Sequence, residues 1–240
     1  FPEFNSLLKQ NVSCTAVSFE PLLVDLKTKD KQPIIDSKFA GPNVFYHLPN
    51  VKLPPRPTFV TVSETANPYS FFVELVDHTT AIELGDLSAQ LQLACPTLTP
   101  LSSPVIGQLC CAVFSQDNDW YRARVTEIHN EHAKVVFVDY GNTDEIPLSC
   151  VRPIPEKFLR LPSQSISCCL ANVDPIIKQF PSESITIFKA LTKQKQLTAT
   201  FKRLNERHQS VVVLKDESIE GENDIYQLLV QSLQEHARHH

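Results

Sequence analysis

Apolar and small polar residues alternate along residues 11–26, the pattern of half-buried strand, and the segment reads as two short strands split near Phe19 and Pro21. A polar turn at 27–31 and a short apolar run around Ile34 and Ile35 follow. Between 41 and 57 the chain turns to Pro, Asn and Gly, and LPNVKLPPRP holds four prolines in ten residues. Proline disfavours helix and removes ladder donors, so 41–57 reads as a linker. Two strands are predicted at 58–63 and 70–77, joined across an Asn67-Pro68 turn. A helix is predicted at 81–93, with Thr79 or Thr80 as its cap and Ile82, Leu84, Leu87, Leu91 and Leu93 as a partial apolar stripe.

Residues 105–154 are denser in strand. The runs 109–114, 120–128 and 134–139 carry β-branched and aromatic enrichment, and polar breaks separate them. Short strands at this spacing predict a small barrel. Beyond it the pattern predicts a short helix at 156–161, a strand at 165–173 and a helix at 184–192. Strands at 196–203 and 210–214 follow, then a helix from 224 to about 236 capped by Asn223. There is also an internal echo. Leu8-Lys9-Gln10, Cys14-Thr15-Ala16, Val24-Asp25-Leu26-Lys27 and Ile34 have counterparts in Thr192-Lys193-Gln194, Leu197-Thr198-Ala199, Val212-Val213-Leu214-Lys215 and Ile225. Residues 1–40 therefore read as the tail of a preceding repeat or an N-terminal extension.

Composition narrows the classes. With 22 Lys+Arg against 27 Asp+Glu the net charge is −5, which argues against tight, sequence-independent binding to a nucleic-acid backbone. No apolar run approaches the ~20 residues that span a bilayer, and the opening FPEFNSLLKQ does not read as a secretory leader. Seven cysteines in a chain of this length read as reduced thiols in an intracellular protein. Glycine is scarce, and neither G-x-x-x-x-G-K-[ST] nor G-x-G-x-x-G occurs. The chain holds no Met, which suggests a piece of a longer protein.

The informative stretch is FSQDNDWYRARV (114–125) followed by VFVDYGNTDEI (136–146). These two linked signatures resemble the Tudor domain. The flanking strands and helices resemble the extended Tudor module, in which a staphylococcal-nuclease-like OB fold is assembled from segments on both sides of the Tudor core. The resemblance implies a mainly β fold with flanking helices (α+β): an SH3-like Tudor barrel inserted in an OB fold. It implies an extended Tudor domain over 58–236, with the core at 105–154 and the OB-like lobe at 58–95 plus 155–236.

By the same resemblance, Phe114, Tyr121, Phe137 and Tyr140 would form an aromatic cage and Asn142 its polar contact. The implied ligand is symmetrically dimethylated arginine in an Arg-rich tail of a PIWI-family protein. The implied setting is a multi-Tudor scaffold of the piRNA pathway in cytoplasmic germ granules (nuage). The chemistry agrees. A methylated guanidinium keeps its charge but is poorly hydrated, and aromatic faces attract such a cation with roughly 0.5–2 kcal/mol each. An amide can accept a remaining N–H without the cost of burying a carboxylate. Phe137 and Tyr140 have opposite strand parity, so they converge only if the backbone turns at 139–141, which Gly141 permits. Trp120 lies on the face opposite Tyr121 and reads as core. Asp139 is expected to buttress the turn or to pair with Arg122 or Arg124. Seven acids against three bases between 107 and 146 would form an acidic rim that steers an Arg-rich peptide.

Other features carry less. Cys110-Cys111 and Cys168-Cys169 lack C-x-x-C spacing, so no zinc site is expected, and the histidines at 236, 239 and 240 read as exposed tail. Asn11-Val12-Ser13 matches a glycosylation sequon without a secretory context. Nuclease chemistry needs clustered carboxylates and arginines, but strands 58–63, 70–77 and 165–173 offer only Glu74 and Asp77. No catalytic residue, metal or cofactor is therefore expected, and nucleic acid is not the expected main ligand. The alternatives are a methyl-lysine reader, a single-stranded RNA-binding module using the OB lobe, or a structural Tudor domain with a blocked cage.

Overall fold

The computed structural model describes residues 46–173 and 180–238. The strands expected at 11–26, the apolar run at 34–35, the first copy of the internal echo and the sequon lie outside the described residues. So do residues 41–45, His239 and His240. In chain order the elements are β1 (Thr58–Asn67), β2 (Ser70–Leu75), α1 (His78–Ala94), β3 (Leu109–Val113), β4 (Trp120–His129), β5 (His132–Phe137), β6 (Thr143–Pro147) and β7 (Val151–Pro153). They continue with β8 (Ser165–Leu170), α2 (Ser182–Thr192), β9 (Gln196–Leu204), β10 (Ser210–Lys215) and α3 (Ile225–Arg238). Two compact units result. One contains residues 51–78, 164–173 and 180–238, and the other contains 46–50 and 79–163.

The first unit is a closed five-stranded barrel in the order β1-β2-β8-β10-β9. Its one parallel pair, β8 with β10, gives the Greek-key arrangement of an OB fold. The β1–β2 turn is only Pro68-Tyr69, because Asn67 Oδ1 accepts the Tyr69 N–H at 2.8 Å and closes an Asx-turn. Strand β1 therefore runs four residues further than the sequence suggests. Val60, Phe71, Val73, Leu197, Ala199, Val212 and Leu214 point inward at alternate positions and are buried. Helix α2 closes on them through Phe188, whose ring centroid lies 5.2 Å from that of Phe71. Helix α3 adds Ile225, Tyr226 and Leu229. The α3 cap is Asp224 rather than the expected Asn223: Asp224 Oδ1 accepts the Tyr226 N–H at 2.8 Å.

The second unit is a five-stranded antiparallel sheet in the order β6-β5-β4-β3-β7, with β6 and β7 at its edges. Its two faces bury different clusters. Cys110, Ala112, Ala123, Val125, Val135, Phe137 and Ile146 fill one. Cys111, Leu109, Trp120 and Val138 fill the other, together with Leu87 and Leu91 of α1. The two cysteine neighbours thus face opposite ways, and Trp120 is core on the side away from Tyr121. Helix α1 starts at His78, so Thr79 and Thr80 lie inside its first turn rather than capping it. Its Gln92 takes the place of a missing strand at the start of β4. Gln92 Nε2 donates to Trp120 O at 2.8 Å, and the Trp120 N–H donates to Gln92 Oε1 at 2.7 Å. The segment expected as a helix at 156–161 is a single 3-10 turn, Glu156–Leu159.

Asp224→Ala removes the α3 cap and should lower the stability of the chain by about 1 kcal/mol without changing its fold, read as a shifted urea midpoint with an unchanged slope.

Candidate functional site

The site is built at one end of the second unit by two turns and the strands that enter them. The β3–β4 turn (115–119) is closed by Phe114 N–H donating to Asp119 O at 3.0 Å and Asn118 N–H donating to Phe114 O at 2.9 Å. Asn118 sits at φ 64°, a left-handed conformation that Asn tolerates. Within the turn Asp117 Oδ1 accepts the Asp119 N–H at 2.9 Å. The turn after β5 folds back on Phe137. Phe137 O accepts the Tyr140 N–H at 3.2 Å and the Gly141 N–H at 2.8 Å, while Phe137 N–H donates to Asn142 O at 2.9 Å. Gly141 takes φ 86°, which supplies the bend that strand parity demanded. Asp144 then ties the two turns together: its Oδ2 accepts the Ser115 N–H and its Oδ1 the Glu145 N–H, both at 2.8 Å.

These turns gather four rings. Phe114 and Phe137 have centroids 5.3 Å apart at 71°, and Tyr121 and Phe137 are 5.7 Å apart at 75°. Tyr121 and Tyr140 are 5.3 Å apart at 86°, and Phe114 and Tyr121 are 6.4 Å apart at 79°. Near-perpendicular neighbours at these distances meet edge to face, as adjacent walls of a box do. Phe137 is only 1% exposed and forms the floor, shared with the core of the unit, whereas Phe114, Tyr121 and Tyr140 are half-buried. The Tyr121 hydroxyl donates to Asp117 Oδ2 at 2.8 Å. Burial first, and then that hydrogen bond to a carboxylate, push the Tyr121 phenol well above its ordinary value, so it stays a neutral donor. Asn142, joined to Phe137 through its backbone carbonyl, has a buried side-chain oxygen that accepts no hydrogen bond among the described residues. A buried acceptor left this way costs ~1–3 kcal/mol.

Beneath the cage lies a buried ion pair. Arg122 is fully buried, and its Nε and Nη2 meet the two Asp139 carboxylate oxygens at 2.9 and 2.6 Å. The remaining donors go to backbone carbonyls: Nη1 to Phe158 O at 2.9 Å and Leu161 O at 2.6 Å, and Nη2 to Pro162 O at 2.9 Å. All five guanidinium N–H groups are therefore used. Of the two arginines considered for Asp139, Arg122 is the partner. Arg124 instead donates to Gly107 O at 2.8 Å. Because Arg122 follows Tyr121 and Asp139 precedes Tyr140, this pair sets the distance between two cage walls.

All five residues singled out in the sequence fall in this one region. The acidic rim is thinner than a count of acids implies. Asp139 is consumed by Arg122, Glu127 by Lys134 at 2.8 Å and His129 at 3.0 Å, and Asp117 and Asp144 by the hydrogen bonds above. Asp119, Glu131 and Glu145 remain exposed. Sequence reasoning read Asp117 and Asp144 only as charge. The available signal was the Asp-x-Asp and Asn-x-Asp spacing in polar turns, where short acidic side chains cap backbone N–H groups. Among the described residues no group of three or more His, Cys, Asp or Glu is placed to hold a metal ion.

The strands and turns of this unit thus gather four aromatic rings beside a buried amide oxygen. The Tudor domain family model matches residues 53–172, half of the chain, and the chain belongs to that family. It is 38% identical over 140 residues to human Tudor domain-containing protein 1, covering 57% of this chain and 12% of that protein. The chain thus spans about an eighth of the length of that relative. Among solved structures, an extended Tudor domain of the mouse protein in complex with a dimethylarginine-containing MILI peptide superposes with a TM-score of 0.71. Its identity is 28%, and the match covers 78% of this chain and 96% of that one. An extended Tudor domain of Drosophila melanogaster Papi, in complex with a methylated Piwi N-terminal peptide, gives a TM-score of 0.65 at 27% identity. That match covers 74% of this chain and 97% of the other.

Removing one member of the ion pair strands a buried charge. Arg122→Met should destabilise the chain by about 3–5 kcal/mol in chemical denaturation, and the double change Arg122→Met with Asp139→Leu should cost less than the sum of the two single changes.

Proposed function

We propose that this chain is a non-catalytic reader module that binds symmetrically dimethylated arginine in an Arg-rich peptide tail. The observation that carries the reading is the gathering of Phe114, Tyr121, Phe137 and Tyr140 as mutually perpendicular rings beside Asn142. A dimethylguanidinium is planar, cationic and edged with methyl groups. Ring faces supply both its apolar contact and its counter-field, at roughly 0.5–2 kcal/mol per ring. Symmetric methylation leaves one N–H on each terminal nitrogen, and the unpartnered Asn142 oxygen is an acceptor for one of them. A few kcal/mol from the rings supports micromolar affinity, suited to reversible docking of a disordered tail.

The relatives that hold MILI and Piwi peptides support a PIWI-type protein as the partner. On that reading the parent protein is a multi-Tudor scaffold in the piRNA pathway, located in cytoplasmic germ granules.

Calorimetric titration with one Arg-Gly peptide carrying unmodified, asymmetrically dimethylated or symmetrically dimethylated arginine, and with a trimethyl-lysine counterpart, tests the assignment. The symmetric form should bind best, in the micromolar range. Tyr140→Ala should weaken it about tenfold, equivalent to ~1.4 kcal/mol, while the chain stays folded. Equal affinity for the unmodified and symmetric peptides would overturn the reading.

A further inference from the structure

The barrel unit has a second surface whose chemistry the cage does not use. The β1–β2 turn and the β9–β10 turn meet at one end of the barrel. Asn205 Nδ2 donates to Tyr69 Oη at 3.4 Å, and Gln209 Nε2 donates to Tyr69 O at 3.3 Å. The Arg207 guanidinium carbon lies 5.6 Å from the Tyr69 ring centroid. Asn205 Oδ1 accepts the N–H groups of Arg207 and Gln209, both at 2.9 Å, which pins the turn that carries Arg207. Arg203, at the end of β9, acts on the same place. Burial pushes the Tyr69 hydroxyl and the Cys169 thiol up, and the charges of Arg203 and Arg207 work against that rise at both. Arg207 therefore packs on this buried polar node, and Arg203 stands beside the same turn in β9, opposite Val211 of β10.

The charge is local and uncompensated. Lys202, Arg203 and Arg207 are exposed, and Glu206 is the sole carboxylate between 202 and 208. Neither arginine pairs with a carboxylate within 4 Å among the described residues. Four acids of this unit, Asp216, Glu217, Glu220 and Glu222, follow Lys215 where β10 leaves the barrel at its opposite end. A chain of net charge −5 thus presents a cationic end to an approaching anion. Beside it Leu204 is 57% exposed, and the exposed Arg207 guanidinium lies over the buried Tyr69 ring. OB folds bind oligonucleotides through these two loops, and single strands are held by a cationic track with a stacking platform. Bases stack on guanidinium planes as well as on aromatic rings.

We propose that the Tyr69–Arg203–Arg207 end of the barrel is a second binding site that takes single-stranded nucleic acid through its phosphodiester backbone, without sequence preference. It is independent of the cage, because no cage residue takes part.

The test is fluorescence anisotropy of the full 240-residue chain with labelled oligouridylate and oligodeoxythymidylate across a salt series, with polyglutamate as an anionic competitor. Both oligonucleotides should bind. Reversing both charges (R203E with R207E) should weaken binding by tenfold or more, and should flatten the slope of log K against log salt by about 1.4, two phosphate contacts at ~0.7 each. The double variant should keep its dimethylarginine-peptide affinity, a cooperative urea transition with the parent's slope should report that its barrel is folded, and Tyr140→Ala should keep its oligonucleotide affinity. If the double reversal does not fold, Arg203→Gln and Arg207→Gln singly should each lower the slope by about 0.7. Absence of binding at low salt, binding indifferent to these changes, or displacement by polyglutamate at equal charge would overturn the proposal.

Discussion

The buried pairing of Arg122 with Asp139 is the interaction on which the cluster of four rings, the proposed cage, rests. An unpaired guanidinium or carboxylate in this position would be costly, so the chain must bring β4 and the turn after β5 into one register. That register places Tyr121 and Tyr140, the neighbours of the two charges, with their rings 5.3 Å apart. The three carbonyls of Phe158, Leu161 and Pro162 complete the guanidinium and anchor the segment behind the sheet. Four of the five cage residues lie within three positions of one of the two charges along the chain, and Asp144 brings in the turn that follows the fifth, Phe114.

The cage is continuous with the core rather than applied to its surface. Phe137 belongs to the same apolar cluster as Val125, Val135 and Ile146, so the ring that forms the floor also holds the sheet together. Tyr121 is anchored by its hydroxyl to Asp117, and Asp117 is itself held by the Asp119 N–H. Walls fixed in this way are ordered before a ligand arrives, so less conformational entropy is lost when one binds. The buried, unpartnered oxygen of Asn142 is the opposite kind of feature. It is a cost carried by the folded chain, which the proposed ligand N–H would offset.

Much of this was legible in the chain because period-two patterns and turn residues speak locally. The alternation across Cys110-Cys111 and Trp120-Tyr121 assigned faces that the two core clusters reproduce. The opposed parity of Phe137 and Tyr140 demanded a bend, and Gly141 at φ 86° is that bend. Strands β6 and β7 escaped notice because TDEIP and VRP are short and polar. They pair only because β5 and β3 offer open edges, a tertiary fact that local propensity does not contain. The α3 cap was misplaced by one residue, since Asn and Asp cap equally well and packing of Ile225 decides between them. Arg122 and Arg124 share one face of β4, so the pairing of Arg122 with Asp139 depends on position along the strand: Arg122 meets the 158–162 segment, whereas Arg124 meets Gly107 O. Asp117 and Asp144 looked like surface charge because their partners are backbone N–H groups, which a sequence does not display.

On the proposed function, the methyl groups of a bound dimethylarginine would sit against the faces of these rings. Proton NMR of a peptide carrying isotope-labelled N-methyl groups on its arginine reads this directly, through the ring currents of Phe114, Tyr121 and Tyr140. Both methyl resonances should move upfield on binding, show cross-relaxation to these ring protons, and lose the shift in Tyr121→Ala. Binding of the peptide with methyl resonances left at their free positions would contradict it.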